Sequence, residues 1–167
     1  MPSMLVLARA SSFAGLLLAA VLPAQDARPE ALQLAIGLQQ RSLHDDAVRH
    51  LEQFLAQDPP RAWLAEANYR LAQSLIELGR TEAAIAALEQ SLARGGDGFP
   101  LRAEALYRLA GLAAAQGQPK VAQRHAERLL RGLAAEHYLL AAAHYTLGEA
   151  LRELGDDAAA AAAFGDA

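Results

Sequence analysis

The 167-residue chain has no cysteine and a single lysine, Lys120. Without thiols there is no disulfide, no thiolate metal site and no sulfur nucleophile, so stability has to come from helix packing. The mature part has three serines, Ser42, Ser74 and Ser91, and none lies in a glycine-flanked elbow. The glycine-rich run Gly95-Gly96-Asp97-Gly98 is not followed by Lys-Ser or Lys-Thr and has no strand before it, so it is a turn and not a phosphate cradle. The five histidines include His44 with His50 and His137 with His144, six and seven apart. Neither pair has the i, i+4 spacing that puts two imidazoles on one metal from one helix. No catalytic, cofactor-binding or metal-ligating residue is therefore assigned; an envelope enzyme or a metal-binding helical domain is the minor alternative. The net charge of −4, read as free of basic clusters, argues against nucleic acid as a partner.

Long apolar runs are also missing, with one exception. Phe13 to Leu22 is apolar or small throughout, follows Arg9, and leads into Pro23-Ala24 before Gln25-Asp26. The run is well short of the ~20 residues a bilayer-spanning helix needs. Residues 1–24 accordingly read as a secretory signal peptide, leaving no stable membrane insertion once it is removed. No cysteine follows the run, so the usual lipoprotein route is closed, and the expected location is periplasmic or secreted.

Residues 25–167 are built from one unit. Ala67, Tyr69, Leu71, Ala72, Gly79 and Ala84 recur as Ala105, Tyr107, Leu109, Ala110, Gly117 and Ala122. They recur again as Ala143, Tyr145, Leu147, Gly148, Gly155 and Ala160, each step being 38 residues. A fainter copy 37 residues earlier keeps Leu34, Ala35 and Ala47 but has Ser42 for the glycine and Leu32 for the tyrosine. Self-similarity at this period marks a stack of supersecondary units. Within the unit, Ala67, Leu71, Leu75 and Leu78 make one apolar helical stripe and Ala84, Ile85, Leu88 and Leu92 another. Gly79 ends the first helix in the left-handed region, and Thr81 is placed to cap the second. The small residues at Ala72 and Ala84, and at their repeats, allow the two helices to approach closely.

The expectation is all-α, four hairpins in eight helices: Glu30–Arg41 with Asp45–Gln57, Ala62–Leu78 with Glu82–Arg94, Pro100–Gln116 with Pro119–Gly132, and Ala135–Leu154 with Asp157–Phe164. The repeats run roughly 29–60, 61–98, 99–134 and 135–167. Asp156 or Asp157 can cap the six-alanine run Ala158–Ala163, and Phe164 falls in register with Leu88.

This pattern resembles the tetratricopeptide repeat. The A-x-Y-x-L-[AG] start, the glycine eight residues after the leucine and the alanine five further on carry the resemblance. The long spacing, with tyrosine before the leucine, is similar in style to bacterial envelope members, such as the lipoprotein of outer-membrane barrel assembly and the periplasmic Tol-Pal coordinator. The resemblance implies a right-handed α-solenoid that binds a protein or peptide on its concave face, with neither enzymatic activity nor cofactor. The candidate partner-binding residues on the first helices are then Tyr69, Arg70, Gln73, Tyr107, Arg108, Tyr145 and Glu149. The tyrosines are equally open to a packing role, each ring resting on the next repeat. Arg70 and Arg108 suit an acidic peptide, or are engaged locally by Glu66 and Glu104 four residues earlier. The family's lysine-and-asparagine clamp for C-terminal carboxylates is missing. The short final helix, nearly all alanine, lacks the polar outer face of a cap. It suggests self-association through that helix, or that the chain is the N-terminal part of a longer repeat protein.

Mass spectrometry of the exported protein should find its N-terminus near Gln25; Met1 retained in a membrane fraction would make the leader an anchor instead.

Overall fold

The computed structural model describes residues 28–167, so the leader lies outside the described residues. Among the described residues every regular element is an α-helix, and there are eight. In chain order they are α1 (Glu30–Gln40), α2 (His44–Ala56), α3 (Arg61–Glu77), α4 (Thr81–Gly95), α5 (Arg102–Ala115), α6 (Pro119–Leu130), α7 (Leu140–Glu153) and α8 (Asp157–Gly165). Each odd helix packs against the even helix after it, each even helix packs on the next hairpin, and α1, α3, α5 and α7 form the inner row. None of these helices is long and apolar enough to cross a membrane.

Four identical closures make the hairpins. Gly79, Gly117 and Gly155 have φ of 68°, 65° and 82°, and Ser42 takes the same left-handed conformation at 57°. Each ends its helix with the same pair of backbone bonds. Gly79 N–H donates to the Ile76 carbonyl (2.9 Å), and Arg80 N–H to the Leu75 carbonyl (2.8 Å). The equivalent outer bonds are Leu43 to Leu38, Gln118 to Ala113 and Asp156 to Leu151, at 2.9, 2.9 and 3.0 Å. This is the Schellman arrangement, which satisfies carbonyls the helix end leaves open. The residue after each left-handed position then serves as N-cap of the next helix, with ψ between 63° and 71° in all four. Its carbonyl accepts from Ala47, Ala84, Ala122 or Ala160, at 2.9 to 3.0 Å. The constant glycine-to-alanine spacing is thus the length of this backbone exchange.

Three local expectations are corrected here. Thr81 is the first helical residue of α4; Arg80 occupies the cap position, and no side chain caps that end. The Schellman closure places Arg80 there, and Thr81 is already helical. At α8 the side chain of Asp156 does cap, accepting from Ala159 N–H at 3.0 Å. The start of α7 also shifts, from Ala135 to Leu140, because 131–139 forms a chain of turns that buries Leu139. Likewise α5 starts at Arg102, after a turn that buries Phe99.

Inside each hairpin the small residues meet. Ala35, Ala47, Ala72, Ala84, Ala110 and Ala122 are all fully buried. The last hairpin makes the same contact with a different pair of volumes: a Cβ on Gly148 would lie 2.5 Å from the Phe164 ring. Phe164 stands where Leu88 stands two repeats earlier, so the larger side chain is matched by the smaller residue opposite. Gly95 serves a similar purpose at the second seam, where its missing Cβ makes room for Phe99 (2.5 Å) beside Ala65 (3.1 Å). The main core runs through the middle hairpins, from Val48 through Tyr69, Leu75, Leu88, Leu106 and Leu109 to Leu129. A smaller cluster of Leu32, Leu51, Phe54 and Ala67 holds the first hairpin. Burying one such leucine is worth ~1.5–3 kcal/mol, so the neighbour-to-neighbour seams carry the stability.

Because a left-handed L-residue costs ~1–2 kcal/mol that glycine avoids, Ser42→Gly should stabilise the protein by about 0.5–1 kcal/mol in denaturant melts, and Gly117→Ala should destabilise it by a similar amount. Ala122 is fully buried against Ala113 and Ala150, whereas Ala115 is exposed. Ala122→Leu should therefore cost ~1–3 kcal/mol by overpacking, and Ala115→Leu less than about 0.5 kcal/mol; the reverse ranking would mean the helix crossing is elsewhere.

Candidate functional site: a cleft on the inner helices

The inner row forms a cleft of ≈ 330 Å³ lined by Ile36, Gln39 and Gln40 of α1, His44 of α2, Arg70, Gln73 and Glu77 of α3, and Arg108 of α5. The repeat register puts them there. Arg70 and Arg108 are equivalent positions 38 residues apart. Gln39 and Gln40 are the first-hairpin counterparts of Ile76 and Glu77, so the fainter copy of the repeat contained the signal for them.

The cleft is rich in donors. Gln39 donates through Nε2 to the Arg70 carbonyl (2.6 Å) and to Ser74 Oγ (2.8 Å), which ties α1 to α3 below the floor. Arg70 donates through Nη1 to Gln73 Oε1 (3.1 Å), and its Nη2 lies 3.5 Å from Glu66 Oε1. The same carboxylate oxygen holds Arg28 at 3.0 Å. Arg70 Nε is buried without a partner, as is His44 Nδ1. The Glu66–Arg70 pair foreseen from the four-residue spacing thus forms and holds the guanidinium at the cleft. The Glu104–Arg108 pair does not. Arg108 instead turns its Nε to the Tyr69 hydroxyl at 3.4 Å.

Glu104 is taken by a residue that the sequence did not point to. Tyr138, in the turns before α7, donates its hydroxyl to Glu104 Oε1 at 2.6 Å, while Glu104 Oε2 is buried with no partner. That hydrogen bond, with lesser contributions from burial and the Glu104 charge, pushes the Tyr138 phenol up to about 12. Tyr138 sits outside the repeat pattern, so no periodic signal marks it.

The sequence-derived candidates separate into three groups. Arg70, Gln73 and Arg108 come together in the cleft. Tyr69 is 3% exposed and belongs to the main core, and Tyr107 is half-buried against that same core. Tyr145 is 57% exposed and meets Phe164 with ring centroids 5.6 Å apart, while Glu149 pairs with Arg152 at 2.6 Å. Both lie on the last hairpin, away from the cleft. The row of equivalent tyrosines therefore runs from buried to exposed, because each ring is covered by the hairpin that follows it. Gly111, a turn beyond Arg108, has open space where its Cβ would be, although a helix-interior glycine costs ~1 kcal/mol relative to alanine.

What this arrangement can do is bind. It presents guanidinium and amide donors in a fixed row, suited to carboxylates and to the carbonyls of an extended chain. Among the described residues no three of His, Asp and Glu are grouped to hold a metal.

Comparison with known proteins agrees with this geometry. The tetratricopeptide repeat family model matches residues 69–123. A crystal structure of MamA is similar to the chain with a TM-score of 0.69 at 24% identity, covering 81% of this chain and 73% of that one. The MamA of Desulfovibrio magneticus RS-1 gives 0.67 at 22%, covering 84% and 75%. A Podosopora anserina kinesin-light-chain-like protein of nearly identical TPR-like repeats gives 0.63 at 25%, covering 80% and 69%. No curated protein matches the sequence. With its 38-residue unit and its four identically closed hairpins, the chain has the fold of tetratricopeptide repeat proteins, and its residues 69–123 match that family's model.

Proposed function

We propose that this protein is an exported scaffold of the bacterial envelope that holds an acidic segment of a partner protein in the cleft on its inner helices. The superfamily is one of protein-interaction scaffolds, and the cleft supplies the chemistry of the contact. The observation that carries the reading is the convergence of Arg70 and Arg108, from successive repeats, on one groove with Gln39 and Gln73, two guanidinium groups against the one lining carboxylate of Glu77. Arg70 is backed by Glu66 and Gln73, so its guanidinium is oriented before any ligand arrives. Among the described residues the one side-chain hydrogen bond of Arg108, to Tyr69, is made through Nε, which leaves the outer edge of its fork for a carboxylate.

The export part of the reading rests on the Arg9, Phe13–Leu22, Ala24 layout. Self-association through the last hairpin belongs to the same reading and is supported by the exposed Tyr145.

Arg108→Ala tests the cleft. Peptides carrying two or more Asp or Glu in an extended stretch should bind the full chain, and their neutral Asn or Gln counterparts should not. A lost charge-assisted hydrogen bond of ~1.5–3 kcal/mol corresponds to about tenfold or more in affinity. Arg108→Ala should show that loss in fluorescence titrations with an unchanged thermal melt. Equal binding of acidic and neutral peptides, or an unaffected variant, would remove the cleft from the reading.

A further inference from the structure

Away from the inner cleft, the outward face of α6 has a charge pattern unlike the rest of the chain. Lys120, Arg124, Arg128 and Arg131 follow each other at steps of four, four and three residues, and all four are exposed. At 1.5 Å per residue they form a ridge about 16 Å long. The opposite face of α6 is locked into the core through Ala122, Ala126 and Leu129. The overall balance of −4 concealed this cluster, and the reading of the chain as free of basic clusters is corrected by it. The i, i+4, i+8, i+11 spacing was the available signal.

The C-terminal end of the ridge opens into a cleft. Arg128 and Arg131 line it together with Gly132, Asp97 of the α4–α5 connection and Arg102 at the start of α5, in a volume of ≈ 440 Å³. A cation in the last turn of a helix is favoured by the helix carbonyls, which accounts for Arg128. It does not account for Arg102, which reaches the same cleft from the start of α5, the other helix of this hairpin. Arg102 is largely buried and is oriented by two contacts, Nη1 to the Gly96 carbonyl at 3.3 Å and Nη2 to Asp97 Oδ1 at 3.1 Å. Among the described residues Arg128 and Arg131 have no ion-pair partner. Asp97 is the one acid lining the cleft, and its side chain is 98% exposed. Three guanidinium groups against one carboxylate leave two positive charges uncompensated. Outside the cleft lining, Glu127 accepts from Gln123 Nε2 at 2.9 Å, and the Glu89 charge acts on His125 from α4. Burial, followed by the charges of Arg124 and Arg128, holds the His125 imidazole below its usual range.

We propose that Arg102, Arg128 and Arg131 form a binding site for a phosphate-class oxyanion, with Asp97 as an internal carboxylate that the ligand displaces. Two uncompensated charges match a dianion better than a single carboxylate, and forked guanidinium donors match phosphate oxygens. Asp97 already sits on Arg102 as a carboxylate would, and full exposure makes its release inexpensive. Arg124 and Lys120 extend the positive face along α6 for a ligand with more than one phosphate. The source is either a soluble phosphorylated molecule or the headgroups of an anionic lipid surface. In the second case contact is electrostatic only, because the apolar face of α6 is already buried.

The test is titration of the full chain with tripolyphosphate, beside co-sedimentation with phosphatidylglycerol vesicles and with phosphatidylcholine vesicles. Tripolyphosphate should bind with an affinity that falls as salt rises. The Arg128→Ala, Arg131→Ala double variant should bind at least about tenfold more weakly with an unchanged melt, since both side chains are exposed. Asp97→Asn should bind several-fold more tightly, and Arg49→Ala on α2 should equal the parent protein. Vesicle binding that needs phosphatidylglycerol and is lost in the double variant assigns the lipid surface; soluble binding alone assigns a dissolved phosphate ester. No binding of either probe, the same loss in Arg49→Ala, or weaker binding in Asp97→Asn would overturn the proposal. So would displacement of tripolyphosphate by acetate as readily as by inorganic phosphate.

Discussion

Every hairpin turns on one backbone exchange. A left-handed residue ends the inner helix, and the residue after it closes that helix and opens the next. Because this residue spends its N–H on one helix and its carbonyl on the other, the two axes cannot slide or splay without losing both bonds. The buried alanine that donates to that carbonyl is also the residue that meets the facing helix. Connection and contact are therefore one constraint, and four repetitions of it produce four hairpins of the same shape. Ser42 shows that the conformation, rather than the glycine, is what the turn demands.

Between hairpins the chain is freer. The three connections differ in length and in which residue they bury: Pro59 at the first, Phe99 at the second, Leu139 at the third. These irregular seams set where the functional surfaces fall. Across the first two, the equivalent arginines Arg70 and Arg108 come to line one cleft. The third, longer seam brings Tyr138 back onto Glu104 and frees Arg108 from the acid four residues before it. A single side chain outside the repeat thus decides whether a guanidinium is spent on its own helix or offered to a ligand.

The solenoid also separates its charges. Donors on the inner row are buried at their bases and held by neighbours, as a groove for a specific segment requires. The cations of α6 are exposed on an outer helix and converge with Arg102 at a seam. The two surfaces differ in geometry and lie on different helices of the stack.

The periodicity of small residues, leucines and glycines was sufficient for the all-helical class, the four hairpins and most helix limits, because local backbone geometry and apolar stripes depend on near neighbours in the chain. It also placed Arg70, Gln73 and Arg108 on one face, since equivalent repeat positions must line up in a stack. It could not grade the three tyrosines. Tyr69, Tyr107 and Tyr145 are the same position in sequence, but their exposure depends on which hairpin covers them. Nor could it tell that Glu66 would hold Arg70 while Glu104 would leave Arg108, because the competing partner is 34 residues away on an irregular turn. The basic ridge of α6 lay within reach of helical spacing alone. Its meeting with Arg102 did not, because the seating of the start of α5 against the end of α6 depends on the core around Phe99 and Leu129, long-range contacts that only the folded chain makes.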